Sequence, residues 1–322
     1  MNRLVIIDGH AILYRAYHAL PTSLTTPKGQ IINAVYGFTS MLLRVVAELK
    51  PTHLIVAFDT PEPTFRNKLY EDYQIQRPKA DDDFISQIDL VKKLVTEMGI
   101  VRYEKPGFEA DDVIGTIASQ AAKLTPKKNT NNFIDVIIVS GDRDMLQLVN
   151  DKVKIYMPVK GLSESKLYGE KEVEEKYSLK PAQVVDYKAL VGDPSDNYPG
   201  VAGIGPKTAS ALISQFKSFD HLYKHLDEVE SQKIKLSLKD NEKLAIVSRK
   251  LAKIMTDVPL SINWEQCVLK NFDREDVHLL FDELGFRSLI PRLSGNREQK
   301  INNKQQKSEI VKENKIQQTS LF

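Results

Sequence analysis

LVIID at residues 4–8, LIVAFD at 54–59 and VIIVSGD at 136–142 decide the fold. Each is a short apolar run reaching an aspartate, Asp8, Asp59 or Asp142, and runs of this length without polar alternation read as strands buried on both faces. Helical periodicity separates them. Residues 33–50 set Val35, Phe38, Leu42, Val45 and Leu49 on one stripe and stop at Pro51. Residues 83–98 repeat the device with Ile85, Ile88, Val91, Leu94 and Met98 before Gly99. Strands alternating with helices predict an α/β class, a central, mostly parallel sheet flanked by helices, which places ligands at the carboxyl ends of its strands. Three strands therefore deliver a carboxylate to one edge.

More acids join them: Glu109, Asp111 and Asp112 in EADDV, Asp144 in SGDRD, and Asp193 with Asp196 in GDPSD. Singly, each has a structural explanation. Acidic first turns complement a helix dipole, and aspartates beside Pro194 and Asn197 form turns. Together they crowd anions that raise one another's pKa, an arrangement that persists when cations occupy it. All-oxygen ligation with no Cys or His nearby favours Mg²⁺ or Mn²⁺ over Zn²⁺.

With 322 residues the chain can form one large domain or two ordinary ones, and its composition is that of a soluble globular protein. Cys267 is the only cysteine, so no intrachain disulfide forms and a reduced cytoplasm is the expected compartment. No signal-peptide pattern or bilayer-length apolar run suggests a membrane. The net charge of +2 is too small to announce a polyanion partner, so any nucleic-acid surface must be local.

Residues 1–178 read as the α/β part. Within it the polar stretch 60–82 is too long for an ordinary connection, and its Arg66, Lys68, Tyr70, Tyr73, Arg77 and Lys79 suit phosphate contact and base stacking. Residues 125–132 form a polar surface loop. Beyond Ser178 the pattern turns helical through residue 294, with short apolar runs near Val268. Residues 295–322, rich in Lys, Gln, Asn and Glu, form a tail that cannot bury a core.

GVAGIGPKTA at 200–209 fails two phosphate-loop patterns, because Pro206 interrupts a GK[ST] step and no third glycine completes GxGxxG. It fits a hairpin between helices. Gly203 and Gly205 turn backbone N–H groups outward and Lys207 and Thr208 open the next helix, giving an anion site for one DNA phosphate. The pair His221 and His225 has helical metal-ligand spacing but reads as a surface helix, and His10 and His18 read as structural.

DGHAILYRAYHAL from Asp8, AFDTPEPTFR from Ala57, GFEADDV from Gly107, SGDRDMLQLV from Ser140 and VGDPSDNYPGVAGIGPKTA from Val191 closely resemble the 5′-nuclease domain at the N-terminus of bacterial DNA polymerase I, and more widely the flap endonucleases. The resemblance implies a PIN-like fold with a helix-hairpin-helix at 200–209 and an arch at about 60–84. It implies a metal-dependent nuclease cutting 5′ flaps and 5′ ends of DNA, RNA primers included. Asp8, Asp59, Glu109 and Asp111 would form one metal region. Asp112, Asp142, Asp144, Asp193 and Asp196 would complete the acidic site, the last four mainly serving a second ion, and K⁺ is a candidate at the hairpin. Two such ions can activate water and stabilise the leaving oxygen. Arg15 and Arg77 match basic residues expected at the scissile phosphate, and Tyr73 an aromatic expected to stack on a base.

Two departures stand out. After Tyr73 the family usually reads YKxxR, whereas this chain reads YQIQR, putting Gln74 where an active-site lysine is expected and leaving Lys79 or Lys68 to supply charge. The sequence also ends after a short tail, so a stand-alone, monomeric nuclease is the expectation. That tail closes on QTSLF, which resembles the Q-x-[SD]-L-F peptide that docks bacterial proteins on the sliding clamp, with Gln318, Leu321 and Phe322 as its contacts. Two other readings compete. A non-catalytic branched-DNA module would have lost metal ligands, and a PIN-like ribonuclease would not need the glycine hairpin.

Overall fold

The first apolar run forms β1 (Asn2–Asp8) and the second β2 (His53–Ala57); β3 (Val101–Tyr103), β4 (Phe133–Val139), β5 (Val153–Lys160) and β6 (Glu164–Tyr168) complete one sheet in the order β3-β2-β1-β4-β5-β6. All neighbouring pairs are parallel except β5 with β6. This computed structural model describes residues 2–124, 133–161 and 164–294. The loop 125–132 and the tail 295–322, with Gln318, Leu321 and Phe322, lie outside the described residues.

Helices α1 (Gly9–Ala19), α2 (Asn33–Leu49), α3 (Phe65–Leu69), α4 (Asp82–Glu97) and α5 (Ala110–Lys123) connect the strands, and α6 (Glu170–Tyr177) follows β6. The expected helix stops are met within a residue or two: Lys50 takes a left-handed cap before Pro51, and Gly99 follows α4 at φ +74°. Strand pleating divides β1 between two cores. Val5 and Ile7 join α1, α2 and α4 on one face, while Leu4 and Ile6 join α5 on the other. Burial on both faces is why the run lacks alternation.

The β5–β6 hairpin is a feature the sequence reading lacked. β6 buries only Tyr168 among ESKLY, so its apolar signal is weak. The short apolar run near Val268 makes one isolated bridge, to His53.

The helical part contains α7 (Val184–Val191), α8 (Pro206–Phe216), α9 (Phe219–Lys224), α10 (Gln232–Asp240) and α11 (Glu242–Ala252), packed around Leu190, Ile213, Phe216 and Leu222. The expected helical unit does not run unbroken to residue 294. From Ile254 the chain returns to the sheet: Ile254 and Cys267 join the core with α5, and α12 (Glu275–Glu283) buries Val277 and Phe281 in the core shared with α2 and α4. No helix among the described residues is long and apolar enough to cross a membrane.

Candidate metal centre

Strand order reverses between β1 and β4, so a crevice opens at their carboxyl ends. Asp8 ends β1 and caps α1 by accepting the Ala11 N–H at 3.0 Å. Its other oxygen accepts the Ser140 hydroxyl at 2.7 Å, and that hydroxyl accepts the Asp142 N–H at 3.0 Å, tying the ends of β1 and β4 together. Asp59, just past β2, accepts the Ala110 N–H at 2.7 Å from the first turn of α5. This places Glu109 and Asp111 at the same edge.

A second group sits on the loop between α7 and α8. Gly192 and Gly200, both at positive φ, let the loop 192–200 close on itself, since a Cβ on Gly192 would lie 2.6 Å from the Tyr198 carbonyl. The closed loop presents Asp193 and Asp196 to Asp144. One oxygen from each of these three lies within 4.8 Å of the others. Lys188 of α7 lies 2.6 Å from Asp144 Oδ1 and donates to Asp193 Oδ2. Asp196 is met from the arch side by Tyr73, Gln74 and Arg77.

The donor set suits a hard divalent cation, because every candidate ligand offers carboxylate oxygen. Asp144 Oδ1 is also buried with no aligned hydrogen-bond donor despite its ion pair. Burial, with Asp59 and Asp142 adding repulsion, pushes Asp8 up to about 7. Burial and the neighbouring acids likewise push Glu109 up to about 7 against the pull of Arg66. Asp111 is driven well above the carboxylate range by burial, then by Asp142 and Asp8. Asp142 is raised by burial. Burial also carries Asp144 to about 7, Lys188 notwithstanding. Asp193 behaves oppositely: against desolvation, Lys188 and Ser195 hold it below the usual range. Cations that relieve this repulsion would stabilise the fold.

Residues 3–178 match the family described as 5′-3′ exonuclease, N-terminal resolvase-like domain, and residues 179–275 match 5′-3′ exonuclease, C-terminal SAM fold. The chain belongs to the 5′-3′ exonuclease family. Among its relatives, DNA polymerase I of Bacillus subtilis (strain 168) is 40% identical over 292 residues, covering 91% of this chain and 32% of that protein. DNA polymerase I of Mycobacterium tuberculosis (strain ATCC 25618 / H37Rv) is 41% identical over 291 residues, covering 90% and 31%. The chain thus spans about a third of the length of these relatives. Among solved structures, T5 5′-exonuclease with divalent zinc bound has a TM-score of 0.65 at 21% identity, covering 79% of this chain and 90% of that one. The catalytic core of Rad2 in complex with DNA substrate has a TM-score of 0.55 at 13% identity, covering 91% and 92%. At these identities the likeness shows the fold, a PIN-like sheet with a helical C-terminal part.

The geometry revises several residues picked out by the family motifs. Asp112 is not in the open cluster: it is fully buried, both oxygens are taken by Arg66 at 2.7 and 2.9 Å, and Oδ1 also accepts the Met255 N–H. It holds Arg66 and accepts the Glu109 N–H at 3.1 Å. Tyr73 cannot offer a face to a base, since it is 4% exposed and packs with Tyr198 and Leu251. Its hydroxyl reaches Glu109 and Asp196, each at 3.3 Å. Arg77 is half exposed beside Asp196, Lys79 and Lys68 are exposed, and Arg15 donates to the Gly161 carbonyl close to Gly141. Gly203, Gly205 and Lys207 are exposed, with Gly205 the cap of α8. A histidine does lie at the edge. His10 Nδ1 accepts the Asp59 N–H at 3.0 Å, so its lone pair is already committed.

Lys188 is the functional candidate that sequence reasoning missed, and Arg66 is one whose place it misassigned. Lys188 is the only cation in the otherwise largely apolar α7, five residues before Asp193, which is the signal it carried. By sequence Arg66 is an arch cation suited to phosphate contact. It is instead 2% exposed and also donates to the Leu251 and Lys253 carbonyls at the end of α11.

Proposed function

We propose that this chain is a structure-selective DNA 5′-nuclease that hydrolyses phosphodiesters at 5′ flaps and 5′ ends, RNA primers included, using two Mg²⁺ or Mn²⁺ ions. One observation carries the reading: the loop that brings Asp193 and Asp196 to the acid edge runs directly into the hairpin that opens α8. A strand held by its phosphate at that hairpin is thereby aligned toward the carboxylates.

Asp8, Asp59, Glu109 and Asp111 would hold one ion, and Asp142, Asp144, Asp193 and Asp196 the other. Ions bound there would supply Lewis acidity toward water and the scissile phosphate. The chain's own residues do the rest. Gly203 and Gly205 leave backbone N–H groups accessible, and Lys207 and Thr208 add charge and a hydroxyl at the positive end of α8, so backbone is gripped without reading bases. Arg15 and Arg77 flank the edge with guanidinium groups suited to phosphate. The exposed hairpin is also the candidate K⁺ position. A monomeric state, a cytoplasmic location and docking to a bacterial sliding clamp through Gln318, Leu321 and Phe322 belong to the same proposal and are supported by sequence alone.

The test is incubation with end-labelled 5′-flap, nicked and single-stranded DNA, and with single-stranded RNA, each with and without Mg²⁺. Cleavage near the flap junction only with metal is the expected result. Tight flap binding without cleavage in Mg²⁺ would instead favour a non-catalytic junction binder, and cleavage confined to RNA a ribonuclease.

A further inference from the structure

Asp196 is the point where the arch meets the acid edge, with four contacts on it and a fifth beside it. The Gln74 N–H donates to the Asp196 carbonyl at 2.9 Å, and the Gln74 side-chain amide donates to Oδ1 at 3.1 Å. Arg77 reaches the same Oδ1 at 2.5 Å, while the Tyr73 hydroxyl takes Oδ2. In return the Asn197 side-chain amide donates to the Asp72 carbonyl at 2.8 Å. The two residues at the centre of this exchange, Gln74 at φ +57° and Asn197 at φ +55°, both hold the left-handed conformation without being glycine. Such conformations persist only when surrounding contacts fix them. Both sides of the junction are therefore held in costly geometries by each other.

We propose that Gln74 and Asn197 are positioning residues that latch the base of the arch onto Asp196, so that ion binding at Asp196 and docking of the 72–77 turn oppose one another. The inference rests on reading the acid edge as a metal centre. Asp196 Oδ1 already accepts from both Gln74 and Arg77, and Oδ2 shares the single Tyr73 proton with Glu109, so a divalent ion there competes with arch donors while adding positive charge beside Arg77. Linkage then requires the converse: a latched arch weakens ion binding by the same factor that ion binding loosens the arch. A glutamine suits this role. It donates one hydrogen bond to Asp196 and adds no fixed cation in the ion's place, which a lysine at this position would do.

The test uses the full chain with Mg²⁺ as the probe. Hydrogen–deuterium exchange over residues 70–78 reads the latch, and calorimetric titration reads ion affinity. In the parent, Mg²⁺ should speed exchange at the Gln74 amide. Gln74→Ala, and Asn197→Gly, which keeps the left-handed backbone accessible, should exchange quickly without metal. Each should bind the weaker ion about three- to tenfold more tightly, the scale of one lost competing hydrogen bond. Gln74→Lys should bind it less tightly than the parent. A purely structural contact would loosen the turn but would not tighten the ion. Exchange unchanged or slowed by bound Mg²⁺, or unchanged affinity in both variants, overturns the latch alone. No ion binding to the parent overturns the latch and the metal centre together.

Discussion

Asp8 and Asp59, at the ends of β1 and β2, receive their hydrogen bonds from neutral donors: the Ala11 and Ala110 N–H groups and the Ser140 hydroxyl. Asp193 and Asp196, on the loop before α8, are met by Lys188 and Arg77. Neutral donors orient a carboxylate without cancelling its charge, so the first group keeps a repulsion that only ions or protons can relieve. The second is largely neutralised from within. An ion entering the first group meets open demand, while an ion entering the second must compete with tethered cations. Asp144 belongs to both: it lies beside Lys188, yet burial still raises it to about 7.

The largest expected effect comes from removing a charge on the crowded side. Asp111→Asn deletes a carboxylate that burial, then Asp142 and Asp8, drive well above its ordinary range. Losing a residue that merely supports a metal ligand typically costs about 10- to 100-fold, so under the proposed ligand role of Asp111 its loss should lower flap cleavage at least roughly 100-fold. The same variant should melt higher than the parent without metal and gain less from Mg²⁺. Thermal melts with and without Mg²⁺ read both. A variant that melts lower without metal would show that the crowding is not repulsive.

Arg66 sharpens the contrast from beneath, as a buried cation under the first group. Arg66→Met strands Asp112, which is 0% exposed, and leaving one partner of a buried pair uncompensated costs about 3–5 kcal/mol. The double variant Arg66→Met with Asp112→Leu should recover much of that loss. Urea midpoints measure it, and equal destabilisation of single and double variants would refute the assignment of the cost to the stranded charge.

The crowded group was legible in the sequence because each acid follows an apolar run or opens a helix, both local patterns. The neutralised group was only half legible. GDPSD announced its acids, but Lys188 reaches Asp144 across 43 intervening residues, a proximity that no local spacing encodes. Tyr73 and Arg66 were misjudged for one reason: a long polar connection was read as displayed, whereas the end of α11 covers both residues. The return of α12 to the sheet escaped for the same reason, since its apolar stripe does not name the face it packs on.

A smaller effect follows from pH. Asp8 and Glu109 titrate near 7 in the folded protein, above their ordinary values of 3.8 and 4.5. Between those limits the native state holds more protons than the unfolded chain, so metal-free stability should fall as pH rises, the contribution being complete only below the ordinary values. Asp193 has the opposite sign, its contribution present above its ordinary value and lost on acidification. Melting temperature should therefore decline from about pH 5 to about pH 7.5 without metal, and saturating Mg²⁺ should flatten the decline. A metal-free melting temperature that climbs through this range would place the repulsion elsewhere.

The finest test converts one group into the other. Lys188→Met keeps an unbranched stem of similar length but removes the ammonium from between Asp144 and Asp193. With that cation gone, Asp193 retains only Ser195 among the partners that hold its pKa down, so it should rise to join its neighbours. Two consequences pull in opposite directions. The metal-free protein loses an ion pair that is about four-fifths shielded from solvent on both partners, so it should melt lower; the acid cluster, more negative by one unit, should take the weaker divalent ion a few-fold more tightly. The Mg²⁺-induced rise in melting temperature should therefore exceed that of the parent, the reverse of Asp111→Asn. A mere packing defect would lower both melts and leave their difference unchanged. If Lys188→Met instead gains less from Mg²⁺ than the parent does, the lysine supports the ion rather than standing in for it, and the division of the edge into a crowded and a neutralised group fails at its central residue.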